Sequence, residues 1–414
     1  MSFALEHKLN WLYIDINSYF ATIEQQLDIS LRKKPIAIVP LFSDSTCAIA
    51  ASYEAKLCGI RTGTKIHEAK KLCPELICIE SRHKVYVDYH QKIFQEVDKY
   101  LQVDHVFSID EGTCRLTGKY CELEEAIKIA QKIKLAIRNN VGDYIGCSIG
   151  IASNRYLAKI ATNFQKVDGL VVIKPTDLPY KLYSLTLTAL PGIGQKTYSH
   201  LLKNKISTIQ ELCAEDKVSL AKKWGSINGE KIWSLIRGVD LPLEVVKKST
   251  IGHSQVLGPD SRIIAEARNV LLSLILRAAS RLRSKALYTN SILLTIDLMN
   301  NEVIKLRIRL VPSYDNYSLV HAIMHSWDEL MHLKKLLKVR KVGVSFHGLS
   351  QGLMQLSFDY LPAKHKQENL SKIIDELNSK LGQDIIRQGL LSKQSKSKEV
   401  IAFGYVPISN NEKT

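Results

Sequence analysis

The chain has 414 residues, 45% of them hydrophobic, and Lys plus Arg outnumber Asp plus Glu by 57 to 41 for a net charge of +16. Such a length exceeds what one core fills, so about two to four domains are expected; the basic balance favours a polyanionic partner, nucleic acid first and an acidic membrane surface as the rival. No run of eighteen apolar residues exists, the N-terminus lacks the basic-then-apolar order of a signal peptide, and the eight cysteines (47, 58, 73, 78, 114, 121, 147 and 213) make neither a C-x-x-C pair nor a disulfide framework. Membrane-spanning helices are thereby excluded, and a reduced, cytoplasmic protein without structural zinc is expected.

In chain order, Trp11 to Ile14 is an apolar run of strand length that delivers Asp15, and a helical pattern begins at Tyr19. Pro35 to Pro40 is a short buried strand, and Ala48 to Gly59 is a strand end passing into a helix on which Tyr53 and Lys56 share a face. That pair suits phosphate, although a solvated helix face explains it too. Helical spacing covers Val85 to Leu101 and Leu123 to Val141, while Val106 to Ile109 and Tyr144 to Ala152 read as strands, the first stopping at Asp110-Glu111. Three carboxylates at two strand ends suggest a Mg²⁺ site, because adjacent buried acids repel unless a cation compensates. The competing expectation places Asp110 and Glu111 in an exposed hairpin turn and uses Asp15 as a helix cap. A further helix starts near Asn154 and runs through Lys159 to Lys166.

From about 174 to 240 the pattern changes to short helices punctuated by Leu190-Pro191-Gly192-Ile193-Gly194-Gln195-Lys196. A glycine, apolar, glycine turn opening a helix lets backbone N–H groups approach a phosphate, which points to a DNA-binding helix-hairpin-helix; a plain tight turn is the alternative. Between Leu241 and Gly348, sixteen Lys and Arg face eight Asp and Glu, so half of the net charge lies in about a quarter of the chain. Within it Lys305, Arg307 and Arg309 alternate with apolar residues, placing three cations on one strand face, as a phosphate-backbone contact requires. The order there is strand, helix, strand, strand, helix, strand. Beyond 350, a glutamine-led peptide (Gln355 to Tyr360) precedes a helix from Glu368 to Leu381 and a lysine-rich segment.

Together these motifs resemble the Y-family, lesion-bypass DNA polymerases, the DinB/UmuC-like group that includes bacterial DNA polymerases IV and V. The likeness covers about residues 9 to 350 and rests on Asp15 to Ala21, Tyr53 to Lys56 with Gly59, Glu68 to Pro74, Ser108 to Glu111, Ser148 to Ala152 with Leu157 to Ala161, and the Pro191 to Gly194 hairpin. It implies an α+β right-hand polymerase: a ferredoxin-like palm (1–18 and 83–173), small fingers (19–82), a helical thumb (174–240), an α+β little finger (241–349) and a tail (350–414). The implied activity is template-directed translesion DNA synthesis without proofreading, on primer-template DNA with deoxynucleoside triphosphates. The alternatives are an accessory relative that lost turnover and a non-catalytic DNA-binding repair factor.

By the same resemblance, Asp15, Asp110 and Glu111 with the Ile16 carbonyl match the ligands of two Mg²⁺ ions. Phe20, after Tyr19, matches the steric gate against ribonucleotides, and Tyr53, Lys56 and Lys166 match residues gripping the triphosphate. Gln355, Leu356, Phe358 and Tyr360 resemble a peptide that docks on the bacterial sliding clamp, with an ordinary edge strand as the alternative. The chain departs from the family at Gly112-Thr113-Cys114-Arg115, where alanine, an aromatic, an apolar residue and aspartate are common, at Ala50 for a hydroxyl, and at Lys56 for arginine. Asn17, Ala50 and Lys56 lean toward the polymerase V-like branch.

Overall fold

A computed structural model describes residues 8–44, 46–243, 249–332, 338–351, 362–381 and 386. Two compact units divide the chain, the first reaching Glu244 and the second beginning at Val245. The expected clamp peptide, with Gln355, Leu356, Phe358 and Tyr360, lies outside the described residues.

In chain order the first unit contains β1 (Trp11–Ile16), α1 (Tyr19–Leu27), β2 (Ile36–Val39), β3 (Ala50–Ala51), α2 (Tyr53–Leu57), α3 (Ile66–Leu72), β4 (Ile77–Glu80), α4 (His83–Asp98), β5 (Val103–Val106) and β6 (Glu111–Arg115). It continues with α5 (Leu123–Asn140), β7 (Cys147–Ala152), α6 (Arg155–Phe164), β8 (Leu170–Val172), α7 (Gln195–Lys203), α8 (Ile209–Ala214), α9 (Lys217–Trp224) and α10 (Asn228–Leu235). The larger sheet has the order β5-β6-β1-β7-β8, with β1 antiparallel to both neighbours, and the smaller has the order β3-β2-β4. Two boundaries differ from expectation. The strand expected at 106–109 ends at Val106, residues 107–110 form the turn, and Glu111 opens β6; the helix expected to reach Lys166 ends at Phe164. A β5–β6 hairpin therefore carries the acidic pair, but one that packs beside β1 rather than standing in solvent.

Every residue of β1 is buried, as the middle strand of a sheet covered on both faces must be. Pleating sends Leu12, Ile14 and Ile16 into the core shared with α4 and α5, while Trp11 and Tyr13 join the core of α6 and the short helices behind it. Asp15 belongs by alternation to the α6 face. Helix α6 starts where the Asn154 side chain accepts the Leu157 N–H at 2.8 Å, and it buries Leu157, Ala158, Ile160 and Ala161. Gly150 on β7 lets it lie that close, since a Cβ there would land on the Ala158 carbonyl oxygen. Asn154 also donates to the carbonyls of Leu235 and Val239, at 2.8 and 2.9 Å, which ties α10 to the sheet. The loop before α7 has Gly192 at φ 89°, and the segment ahead of it is a 3₁₀ turn (Leu187–Ala189) rather than a full first helix.

The second unit contains β9 (Ile251–Val256), α11 (Ile264–Arg283), β10 (Leu287–Leu298), β11 (Val303–Ser313), α12 (Asn316–His332), β12 (Val339–His347), β13 (Ser350–Gln351) and α13 (Pro362–Leu381). Its sheet, β11-β10-β12-β9, packs one face on α11 and α12. Lys305, Arg307 and Arg309 alternate with inward Ile304, Leu306 and Ile308 and are exposed, as the spacing predicts. Their cross-strand partners are Thr295, Leu293 and Ser291.

Because Gly150 sets the distance between β7 and α6, Gly150→Ala is expected to destabilise the protein by about 1–3 kcal/mol, read from urea unfolding. An unchanged midpoint would refute that tight contact.

Candidate active site

Asp15 and Glu111, 96 positions apart in sequence, stand opposite each other in the β1–β6 ladder. Residues so paired have their Cβ atoms about 5 Å apart on one face of the sheet. Asp110 is fixed at the hairpin corner just before Glu111. Its carbonyl accepts the Ile16 N–H at 2.9 Å, the Ser108 hydroxyl donates to its Oδ1 at 2.5 Å, and the buried His90 ring donates Nδ1–H to the preceding Ile109 carbonyl at 2.7 Å. Since a strand residue's N–H and C=O point to the same side, the Ile16 carbonyl also faces the Asp110 side. The backbone thus brings together all three acids and Ile16.

The charges are arranged around lysines. Lys159 of α6 donates to Asp15 Oδ2 at 2.5 Å and to Glu111 Oε1, and Lys166 reaches the same Asp15 oxygen at 2.9 Å. The second oxygen of Glu111 accepts the Tyr13 hydroxyl at 2.8 Å, and the Tyr13 ring stacks on Phe107 at 5.6 Å. Burial by itself would raise the Asp15 pKa, but Lys159 and Lys166 hold it below the usual carboxylate range. Burial would likewise lower the Lys159 pKa, and Asp15 and Glu111 reverse that. At Asp110 burial raises the pKa most, Glu111 and Asp15 add to it, and Ser108 and the charge of Lys159 offset only part, leaving it at about 6.

An oxygen-only, acidic donor set suits a hard divalent ion. Among the described residues, however, no three His, Cys, Asp or Glu side chains stand as a ready metal cluster. The oxygens of Asp15 and Glu111 are turned onto an ammonium, so the cation they gather around here is Lys159.

Other expected site residues surround this centre. Tyr19 and Phe20 open α1 and are buried, Phe20 at 4.7 Å from the Tyr86 ring. The Tyr86 hydroxyl donates to Glu24 at 2.7 Å, Glu24 pairs with Arg82, and the Tyr19 hydroxyl donates to the Tyr86 carbonyl at 2.5 Å. Lys56 donates to Ser18 at 2.6 Å and lies 4.7 Å from the Tyr53 ring centroid; burial and then the charge of Lys166 lower its pKa. Lys166 stands on a loop whose next residues, Val167 and Asp168, are left-handed at φ 73° and 62°, a costly backbone for a β-branched residue. Asp168 anchors that loop through Arg138 at 2.8 Å. Gly192, Gly194 and Lys196 are exposed, and no atom stands within 4 Å of a Cβ placed on either glycine. Lys305, Arg307 and Arg309 belong to the second unit.

Sequence reasoning missed Lys159 and Tyr13. The signal for Lys159 was a lysine inside the apolar quintet Leu157-Ala158-Lys159-Ile160-Ala161. Tyr13 had none, because its partner is chosen by strand register.

A profile of the impB/mucB/samB family matches residues 14–163, and a profile of that family's C-terminal domain matches residues 248–358. DNA polymerase IV of Moorella thermoacetica is 32% identical over 393 residues, covering 92% of this chain and 95% of that protein. The chain belongs to the Y-family of DNA polymerases. DNA polymerase IV of Bacillus velezensis is 28% identical over 392 residues, covering 93% of this chain and 94% of that protein. Among solved structures, a Y-family chimera of Dbh and Dpo4 superposes with a TM-score of 0.71 at 23% identity, and an insertion ternary complex of Dbh DNA polymerase with 0.55 at 23%; each covers 83% of this chain and all of the other. This Y-family chain is accordingly a translesion DNA-directed DNA polymerase with the α+β fold of that family. Family membership implies the use of divalent metal.

Two departures of this Y-family member from the usual pattern have local explanations. Gly112 replaces alanine because the Phe94 ring occupies the space of a methyl group. Thr113 replaces an aromatic, and the aromatic stands directly across the ladder as Tyr13.

Asp110 gives a pH signature. Its folded pKa of about 6 lies above the ordinary 3.8, so the folded state binds that proton more tightly and loses stability as pH rises from about 4 to 6, by roughly 3 kcal/mol at most. Asp110→Asn should therefore stabilise the metal-free protein at pH 7 and above, with the gain shrinking below pH 6 and gone near 4. Urea unfolding in EDTA across that range checks it; equal stability of the two proteins at pH 7 would be the contrary result.

Proposed function

We propose that nucleotidyl transfer takes place at Asp15, Asp110 and Glu111, which with the Ile16 carbonyl would hold two Mg²⁺ ions. The observation that carries this reading is the register that sets Asp15 opposite Glu111 with Asp110 at the adjoining corner. When bound, a pair of divalent ions lowers the pKa of the primer 3′-hydroxyl and neutralises charge on the leaving pyrophosphate. The protein's own contribution is to fix the backbone of the three acids in one partly buried place before substrate arrives, through the β1–β6 register and the hairpin corner.

The remaining roles follow the geometry around that centre. Phe20 is the gate against a ribose 2′-hydroxyl, stiffened by Tyr86 and Tyr19. Tyr53, Lys56 and Lys166 bind the incoming triphosphate; mutual repulsion of Lys56 and Lys166 favours an anion between them. The exposed turn with Gly192, Gly194 and Lys196, and the row Lys305, Arg307 and Arg309, bind primer-template DNA through its phosphates. In this reading the larger sheet of the first unit is the palm, the smaller sheet with its helices the fingers, the short helices α7 to α10 the thumb, and the second unit the little finger. No helix among the described residues is long and apolar enough to cross a membrane, in keeping with a cytoplasmic enzyme.

Primer extension with Mg²⁺ and deoxynucleotides tests the centre. Asp110→Asn should lose at least about a thousandfold in rate although it is the more stable protein; retained extension would remove Asp110 from catalysis. Phe20→Ala should raise ribonucleotide relative to deoxyribonucleotide incorporation by about tenfold or more, and an unchanged ratio would take the gate role from Phe20.

A further inference from the structure

Lys159 is a lysine whose side chain is only 19% exposed, on a helix whose buried residues are Leu157, Ala158, Ile160, Ala161 and Thr162. Its ammonium contacts Asp15 Oδ2 at 2.5 Å and Glu111 Oε1, and lies 5.1 Å from the Tyr13 ring centroid. Desolvating a lysine in such surroundings is costly, and it is sustained because two carboxylates share the charge. The same oxygens are the ones that would have to face a divalent ion. A single ammonium and a divalent ion cannot both occupy that place.

We infer that Lys159 is a displaceable internal cation that closes the carboxylate site until a divalent ion replaces it, and that Tyr13 is the positioning residue that keeps Glu111 in place during the exchange. This rests on the reading of Asp15, Asp110 and Glu111 as ion ligands. A doubly charged ion interacts more strongly than an ammonium with both carboxylates, and it also compensates Asp110, whose Oδ1 is met by the neutral Ser108 hydroxyl. The exchange is therefore favourable once the ion is present. Lysine suits the part because its charge sits at the end of a flexible four-carbon stem that can swing away without moving α6. Glu111 is tethered at Oε2 by the Tyr13 hydroxyl, itself fixed by burial and by stacking on Phe107, so Glu111 does not follow the departing ammonium. Lys166 shares only Asp15 and so contributes less to closing the site.

The test is direct Mn²⁺ binding to the full chain without DNA or nucleotide, followed by the electron paramagnetic resonance signal of free Mn²⁺. Lys159→Met should bind Mn²⁺ at least about tenfold more tightly than the wild type, Lys159→Arg should return affinity to the wild-type level or below, and Lys166→Met should gain less than Lys159→Met. Tyr13→Phe, which keeps the ring and its packing, should bind Mn²⁺ severalfold more weakly. Lys159→Met binding no more tightly than the wild type overturns the displacement, and Tyr13→Phe binding equally well overturns the tether, which holds even if Lys159→Met fails to fold. If Asp110→Asn binds Mn²⁺ just as the wild type does, it is the ligand reading itself that fails.

Discussion

Like-charge repulsion among Asp15, Asp110 and Glu111 is the constraint around which the first unit is built. The β1–β6 register forces two carboxylates face to face, and the hairpin corner adds the third. Left alone such a cluster would favour a wider separation or protonation, and Asp110, whose pKa is raised chiefly by burial and further by Glu111 and Asp15, leans that way. What makes the arrangement stable is helix α6, which Gly150 allows close enough for Lys159 to reach both strands. Charge clustering and stability are thus opposed at this point, as the catalytic role proposed for the three acids would lead one to expect.

The aromatic side of the site follows a different logic. Phe20 packs on the ring of Tyr86, whose hydroxyl donates to Glu24, a buried carboxylate also paired with Arg82. A chain of hydrogen-bonded and stacked groups holds a ring more rigidly than loose apolar packing does, which is what the gate role proposed for Phe20 would require. Lys56 and Lys166 are held in the opposite way, Lys56 by the Ser18 hydroxyl and Lys166 by Asp15, contacts that the triphosphate of the proposed function would have to replace.

In the second unit, the separation of roles along β11 is a matter of period two. Ile304, Leu306 and Ile308 pack toward α11 and α12, which leaves Lys305, Arg307 and Arg309 a common outer face. Three cations in line at strand spacing repel one another modestly in water and would gain from a polyanion laid across them, which is the physical basis of the phosphate-binding role proposed for this face.

Periodicity and local chemistry were legible in the sequence. The alternating cations of β11, the helices at α4, α5 and α11, the buried strands β1, β2 and β7, and the motif acids Asp15, Asp110 and Glu111 all depend on near neighbours along the chain. The strand assigned to 106–109 was misplaced because an apolar run that turns a corner has the same composition as one that runs straight. Only the tertiary structure could decide that Tyr13 faces Thr113 and holds Glu111, that Phe94 fills the space over Gly112, and that Lys159 serves as the cation between two strands. Each of these joins residues whose separation in sequence carries no spacing rule. Register and helix-to-sheet distance, set by the packing of the whole core, determine which side chains meet.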